Sequence, residues 1–397
     1  MLRALHLQRF TRVVNRGAAT SSAVPTAAFG ARSRQWNNDN SSKNGRRQQH
    51  QQKSDGWTWK SAGRPLFAFS VITTLKDFFQ VDPVKLDKDT LKDKVKKSWL
   101  DRKYRRYDAA LEILGEALHE AIARKEELPI TRVYDEFANT FYEKGDLDQA
   151  DEYFRLVINR LVNLHGKKDS DPEFIGISLK LADIYAQKGV LDNAEKGYKH
   201  CVAKQMKVVE DNMKKFYVSQ GAMVQERHLV EAHGAKYTDP LALFGMALEA
   251  YAHFLVTYFG EERMAESTEF IDEVLKISHQ IYGSTSLHAV TVINNFSVAC
   301  IMKNRFEVAK KYISMVVDRI IYIDECASMI PGFYCNYAET LWHTGHKEQA
   351  LDWARKAVNL STREEPRIRD FAAKFLKQME DDYKRSQPRT AGKWWFW

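Results

Sequence analysis

One short pattern recurs six times along this chain: a turn-forming residue, an alanine five residues later, and a large apolar residue about four residues after that. The alanines are Ala110, Ala150, Ala194, Ala265, Ala309 and Ala350. The turn positions are Arg105, Gly145, Gly189, Gly260, Asn304 and Gly345. Such a unit is typical of two antiparallel helices that cross closely at a small residue. Each pair must stack on its neighbours to bury its apolar face. The pattern therefore predicts an all-α solenoid of about six helical hairpins.

The segments FANTFYEKGDLDQADEYF and YAETLWHTGHKEQALDW superimpose without gaps, and they resemble the tetratricopeptide repeat. Ala138 and Ala150 fill its two small positions in one copy, and Ala338 and Ala350 do so in another. The Ala265 copy is weaker, because His253 stands where the first small residue belongs. The resemblance implies a right-handed array of hairpins over residues 86–383. The alternative is a generic helical bundle with alanine-rich interfaces.

The alanines are 40, 44, 71, 44 and 41 residues apart, against about 34 in the common form of this repeat. The extra residues predict helices roughly one turn longer, similar to those of kinesin light chain. The 71-residue gap is too short for two repeats. It predicts one prolonged second helix, from about Leu191 through KQMKVVEDNMKKF, followed by a turn at HGAKYTDP.

Residues 1–34 contain six arginines, no lysine and no acid, which is the composition of a mitochondrial transit peptide. A secretory signal would need an apolar run that is absent there. A disordered basic tail is the alternative. Residues 35–64 are almost entirely polar and predict a disordered linker. The whole chain carries +8, of which the first 64 residues contribute +10. The remainder is nearly neutral, so the high pI does not indicate nucleic-acid binding.

Residues 65–80 form a short apolar segment with aromatic residues around it. It is too short to span a bilayer, for which about 20 residues are needed, but aromatic rings favour the membrane interface. The predicted membrane contacts are Trp57, Trp59, Phe67, Phe69, Val71 and Ile72. A helix that caps the solenoid is the alternative. Residues 384–397 form a basic and aromatic tail, for which membrane contact, self-docking and partner binding all stay open.

No motif indicates catalysis, a metal site or a cofactor. The four cysteines lack CxxC spacing, the histidines form no HExxH, and no phosphate-binding glycine motif occurs. We therefore expect no enzyme activity and no small-molecule substrate. Cys201 and Cys300 fall at inward helix positions, and we expect both to be small apolar residues of the core.

Candidate binding residues lie on the first helix of each hairpin, which lines the groove in this repeat. They are Arg132, Asp135, Asn139, Tyr142, Glu143, Asp183, Gln187, Asn294, Met302, Glu339, Trp342 and His343. Four of them are assigned to one equivalent position: Asn139, Asp183, Asn294 and Glu339. Side chains of this kind hydrogen-bond a peptide backbone, and Tyr142 and Trp342 supply apolar contact. Solvated polar residues without a role are the alternative.

A transit peptide, a short apolar stretch and a long-helix solenoid with an expanded middle are similar to the mitochondrial tetratricopeptide repeat protein nineteen family. The likeness is clearest in SLKLADIYAQKGVLDNAEKGYKHC and LFGMALEAYAHFLV. The resemblance implies a matrix-facing, inner-membrane-associated factor for assembly and maintenance of respiratory complex III, acting around its Rieske iron–sulfur subunit. The alternatives are a kinesin-light-chain-like cargo adaptor and a general peptide-binding co-chaperone. Light chains carry a long heptad coiled coil that is absent here, and the groove lacks a cluster of basic residues.

Overall fold

The computed structural model describes residues 89–220 and 226–386, and all regular secondary structure in these ranges is helical. The helices are α1 (Thr90–Lys103), α2 (Tyr107–Arg124), α3 (Glu127–Lys144), α4 (Leu147–Asn163), α5 (Pro172–Gln187), α6 (Leu191–Gln220), α7 (Glu226–His233), α8 (Ala235–Tyr258), α9 (Met264–Tyr282), α10 (Leu287–Met302), α11 (Phe306–Ser314), α12 (Ile330–His343), α13 (Lys347–Ser361) and α14 (Pro366–Ser386). The predicted transit peptide, linker, apolar segment with its membrane contacts, and the tail beyond Ser386 lie outside the described residues.

The helices form six antiparallel pairs. In each pair a first helix (α1, α3, α5, α8, α10 or α12) packs against a second helix (α2, α4, α6, α9, α11 or α13). Each second helix then contacts the next first helix, and α14 continues the series beyond α13. This order confirms the predicted all-α, tetratricopeptide-type hairpin solenoid.

Small residues lie where paired helices cross. Five of the six alanines are fully buried, each at the fourth position of its second helix: Ala110, Ala150, Ala194, Ala309 and Ala350. The prediction for the remaining copy is wrong, because Ala265 is exposed. Ser267 occupies the fourth position of α9, and its Oγ donates to the Ala252 carbonyl oxygen at 2.9 Å. Ala252, rather than His253, is therefore the small residue of α8.

The turns explain this shift of register. Arg105, Gly145, Gly189, Asn304 and Gly345 all adopt left-handed backbone, with φ between 60° and 89°. Gly260 does not, since its φ is −85°. A short 3₁₀ helix, Glu261–Arg263, follows Gly260 and lengthens the connection. The small residues of this pair are consequently 15 residues apart, whereas Ala138 and Ala150 are 12 apart.

The expanded middle contains the predicted prolonged helix. α6 runs for 30 residues, Leu191–Gln220, which confirms that part of the prediction. The turn expected at HGAKYTDP is only partly correct. Gly234, with a φ of +50°, separates α7 from α8, but the residues from Ala235 onward already belong to α8.

A half-buried ion cluster joins the pairs on either side of this insertion. Tyr251 Oη and Arg263 Nη2 each donate to Glu195 Oε1 at 2.9 Å, and Lys199 lies 2.8 Å from the same oxygen. Burial alone would raise the pKa of Glu195, but these donors and charges outweigh it and lower the pKa to about 2. Glu195 is therefore ionised at neutral pH and fixes α6 against α8 and the start of α9.

Among the described residues, α8 is the helix that is long and apolar enough to cross a membrane. Its apolar window is 83% buried inside the protein, as expected for the core helix of a solenoid. All four cysteines of the chain are buried, which confirms the prediction for Cys201 and Cys300. Burial raises the pKa of both thiols to about 12, so they remain protonated at neutral pH.

Two features at the C-terminal end depart from a plain repeat. α11 has only nine residues, and the short 3₁₀ helices Ile320–Tyr322 and Asp324–Met329 follow it. α14 has no second helix of its own among the described residues. It buries Ala372 and Met379 against the last pair and exposes a polar face, which is how solenoids are capped.

Candidate protein-binding face

The first helices carry side chains at repeated positions on one surface, here called the first-helix face. Positions are counted from the small residue at each crossing, such as Ala138 in α3 or Ala338 in α12. Asn139, Asp183 and Glu339 each directly follow that residue. Asn294 does not, because it lies three residues before Ser297 and is equivalent to Asp135. Three of the four residues predicted to share one position therefore do so, and in α10 that position is occupied by Val298.

A buried arginine organises the N-terminal end of this face. Arg102 of α1 is 5% exposed and lies 2.5 Å from Glu136 Oε2 and 3.2 Å from Glu143 Oε1, both on α3. Burial disfavours its charge, but the two carboxylates outweigh this and raise the pKa of Arg102 further. Glu143, a predicted binding residue, is therefore committed to holding α1 against α3.

Lys180 occupies the seam between α3 and α5. Its ammonium donates to Asn139 Oδ1 and lies 5.3 Å from the centre of the Phe154 ring. Burial lowers the pKa of Lys180, and Asp135 opposes that effect. Burial likewise raises the pKa of Asp135, whose Oδ1 is buried without a hydrogen-bond partner among the described residues. Lys180 and Asp135 are thus both half-buried on this face, and each charge partly offsets the cost of burying the other.

The next contact along the face joins Tyr142 and Asp183. The Tyr142 hydroxyl donates to Asp183 Oδ2, and Gln187 Nε2 donates to the same oxygen at 2.5 Å. Burial, reinforced by the Asp183 carboxylate, raises the pKa of Tyr142 well above its usual value. Tyr142 also packs edge-on against Phe154 at 6.3 Å, so its ring belongs to the core as well as to the face.

The C-terminal half of the face contains amide and aromatic contacts. Asn336 Nδ2 donates to Asn294 Oδ1 at 3.0 Å, which links α10 to α12. His343 lies 3.2 Å from Glu339 and stacks on Phe306 with the ring centres 4.0 Å apart.

The indole of Trp342 is also largely used inside the protein. It is half-buried and packs edge-on against Tyr383 of α14, with the ring centres 6.4 Å apart. Lys347 Nζ lies 5.1 Å from the centre of the Trp342 ring. Trp342 therefore attaches the capping helix to the last pair.

These contacts change the meaning of the predicted residues. The polar groups are paired with one another across neighbouring helices, whereas the sequence predicted that they are available to a partner. Four predicted residues are exposed on this face: Arg132, Gln187, Met302 and His343. Three residues that make contacts on this face were not predicted from the sequence: Arg102, Lys180 and Asn336. Their charged or amide side chains at inward positions of first helices were the available signal.

The described residues contain no group of three or more histidine, cysteine, aspartate or glutamate side chains placed to hold a metal ion. The face instead offers hydrogen-bonding groups and a few accessible side chains on a fixed framework of helices. Such an arrangement suits the holding of a polypeptide segment.

Comparison with known family models agrees with this architecture. A family model described as the tetratricopeptide repeat matches residues 131–160 and 331–363, which lie in the second and sixth pairs. Two solved structures superimpose in part. BtubC from P. vanneervenii is 14% identical over 76% of this chain and 95% of its own, with a TM-score of 0.41. A variant of a putative kinesin light chain repeat protein from Podosopora anserina is 13% identical over 58% of this chain and 94% of its own, with a TM-score of 0.43.

Curated relatives from several animals share one name, tetratricopeptide repeat protein 19, mitochondrial. The rat protein is 25% identical over 53% of each chain, and the human protein 24% identical over 70% of this chain and 68% of its own. The homologue from Drosophila melanogaster is 25% identical over 63% of this chain and 61% of its own. The chain thus matches about half the length of the rat relative. The hairpin solenoid has tetratricopeptide-type architecture, and along the matched stretches the chain is similar to members of the tetratricopeptide repeat protein 19 family.

Proposed function

We propose that this chain is a non-enzymatic mitochondrial scaffold that supports assembly and maintenance of respiratory complex III around its Rieske iron–sulfur subunit. In this proposal the first-helix face binds a polypeptide segment of that complex. The observation that carries the proposal is the pre-paired polar face with accessible side chains at one helical position. The mitochondrial name of the relatives supports the compartment.

The accessible residues are the contacts in this proposal. Gln187, Met302 and His343 lie at the same position of three first helices, five residues after the small crossing residue. Met302 is 60% exposed, and the other two are also exposed. The paired groups beneath them keep the helices in place, so little rearrangement of the helices is needed when a partner binds.

Met302 offers the sharpest test of this face. Met302→Asp places a charge into the proposed contact while leaving the core untouched. Loss of a central apolar contact weakens binding by about 30-fold or more. We expect the variant to lose co-purification with complex III from gently solubilised mitochondria.

Met315→Asp is the matched control for that experiment. Met315 is 38% exposed at the end of the second helix α11, so the same substitution there alters another surface. The folded Met302→Asp variant is expressed in cells that lack the native protein. If it still co-purifies with complex III and still supports complex III activity, the first-helix face is not the binding site.

The proposed location is the matrix side of the inner membrane, after removal of residues 1–34. The six arginines and the absence of acids in that segment support import. Mass spectrometry of the organellar protein is expected to find an N-terminus beyond the presequence. Finding Met1 on the organellar protein would contradict the removal of residues 1–34. Alkaline carbonate extraction tests the attachment: peripheral or shallow contact releases the protein, whereas retention in the pellet indicates an integral span.

A further inference from the structure

The N-terminal end of the solenoid carries an excess of positive charge. Residues 89–107 contain eight lysine and arginine residues against three aspartates, a formal charge of +5. The rest of the folded chain is acidic overall, since everything beyond residue 64 sums to −2. The positive charge is therefore concentrated on α1 and the turn that follows it.

The structure places the unpaired part of this charge on one side of α1. Leu91, Ser98 and Arg102 face the neighbouring helices and are buried. The opposite side of α1 and the turn after it carry five exposed residues, here called the outer stripe: Lys97, Leu100, Lys103, Tyr104 and Arg105. Their spacing of three and four residues places most of them in one row along the helix.

The three cations of the outer stripe have no acidic partner among the described residues, in contrast to Arg106, which pairs with Asp101. Apolar surface is interleaved with them. Leu100 is 39% exposed and Tyr104 63% exposed, and Lys103 Nζ lies 5.5 Å from the centre of the Trp99 ring. α1 is the first of the described helices, and no described helix packs on this side.

We infer that the outer stripe of α1 docks the solenoid on an anionic lipid surface. Lysine and arginine interleaved with Trp, Tyr and Leu match a headgroup region, where cations meet phosphates and aromatic rings lie at the boundary with the acyl chains. An acidic protein would satisfy the charges but would leave the exposed leucine and tyrosine without an apolar environment. The lipid surface satisfies both.

The position of the stripe in the chain supports the same occupant. The apolar segment 65–75 ends 14 residues before α1, and a chain of that length spans at most roughly 50 Å. A basic cluster that closely follows an apolar membrane-contact segment is the usual arrangement of an electrostatic anchor. This inference rests on the membrane location proposed above, and it assigns the solenoid a defined end toward the bilayer.

The contact is measured with a position-specific fluorescent label on the full chain. The four native cysteines are buried, so Tyr104→Cys supplies the reactive thiol for an environment-sensitive dye. Lys374→Cys, on the exposed face of α14 at the other end, is the control position. Vesicles of phosphatidylcholine with phosphatidylglycerol are compared with phosphatidylcholine alone, each with a spin-labelled lipid as quencher.

We expect quenching of the dye at position 104 by the anionic vesicles only, and no quenching at position 374. In unlabelled protein, Lys97→Gln with Lys103→Gln should weaken vesicle binding by roughly 30-fold, at about 1 kcal/mol for each basic residue. Lys374→Gln with Lys377→Gln removes the same charge elsewhere and should leave binding unchanged.

Several results overturn the inference. They are a chain that does not bind the anionic vesicles, a silent dye at position 104 in vesicle-bound protein, and equal binding by the two double variants. A dye that responds to polyglutamate but not to vesicles identifies an acidic polypeptide partner instead. These outcomes do not affect the separate proposal for the first-helix face. Met302→Asp should still bind the vesicles. The double variant Lys97→Gln with Lys103→Gln should still co-purify with complex III from solubilised mitochondria.

Discussion

Two helical glycines in different surroundings test how rigid the close helix crossings are. Gly115 lies in α2, where an added Cβ would meet no atom within 4 Å. Gly197 lies in α6, where an added Cβ would come within 3.0 Å of the Ala182 Cβ and 3.6 Å of its Cα. The same substitution to alanine therefore has the same intrinsic effect on helix formation and a different effect on packing.

The magnitudes follow from these two terms. Alanine in a helix interior is favoured over glycine by about 0.8–1.0 kcal/mol. Gly115→Ala should raise the free energy of unfolding by about that amount, since nothing opposes it. Gly197→Ala gains the same term but forces α5 and α6 apart, and such overpacking costs about 1–3 kcal/mol. We expect Gly197→Ala to be net destabilising by about 1 kcal/mol, which separates the two variants by about 2 kcal/mol.

Guanidinium unfolding followed by far-ultraviolet circular dichroism measures the difference. The slope of each transition must match that of the unmodified chain, because repeat arrays are able to unfold in parts. Hydrogen exchange at α5 and α6 then shows whether the loss is local to the third pair. Equal stabilisation by both substitutions would mean that α5 and α6 separate without cost, and it would refute the tight crossing at Ala182.

Three further changes probe the interior. Burial lowers the pKa of His253 to about 4, below its unfolded value of about 6.5. Stability is then complete above pH 6.5 and falls as the pH approaches 4, with a loss of about 2 kcal/mol at pH 5. His253→Phe should flatten this part of the pH–stability curve, and an unchanged curve would contradict the burial argument. Ala194→Leu should cost about 1–3 kcal/mol by overpacking, and unchanged denaturation would refute its register. Asp135→Asn and Lys180→Gln should show coupling of at least about 0.5 kcal/mol in a double-mutant cycle, whereas additive losses would show that the two groups do not interact.

The helical pairs were predictable because close crossings tolerate only small residues. A buried alanine at the fourth position of a second helix, preceded by a left-handed turn residue, is visible as a fixed spacing in the sequence. The same rule failed at Ala265, since counting from Gly260 assumes a turn of standard length. The inserted 3₁₀ helix Glu261–Arg263 contains ordinary helix-forming residues, so no local signal marks the extra length.

The first-helix face was predictable only as a set of positions. Periodicity places Asn139 and Asp183 on the correct side of their helices. It does not reveal that each is hydrogen-bonded to a side chain about 41 residues away. Such partners depend on the separation and relative rotation of consecutive pairs, which no single helix encodes. The sequence therefore identified polar residues as contacts where the structure uses them as cross-links.

That pairing affects how a partner would be selected. A peptide that competed for Asn139 or Asp183 would first have to break contacts with Lys180 or Tyr142, leaving half-buried groups unpaired at a cost of about 1–3 kcal/mol each. A contact with exposed Met302 carries no such cost. Specificity should therefore come from accessible side chains one turn beyond the crossings. The paired groups keep those side chains at a fixed spacing from one helical pair to the next.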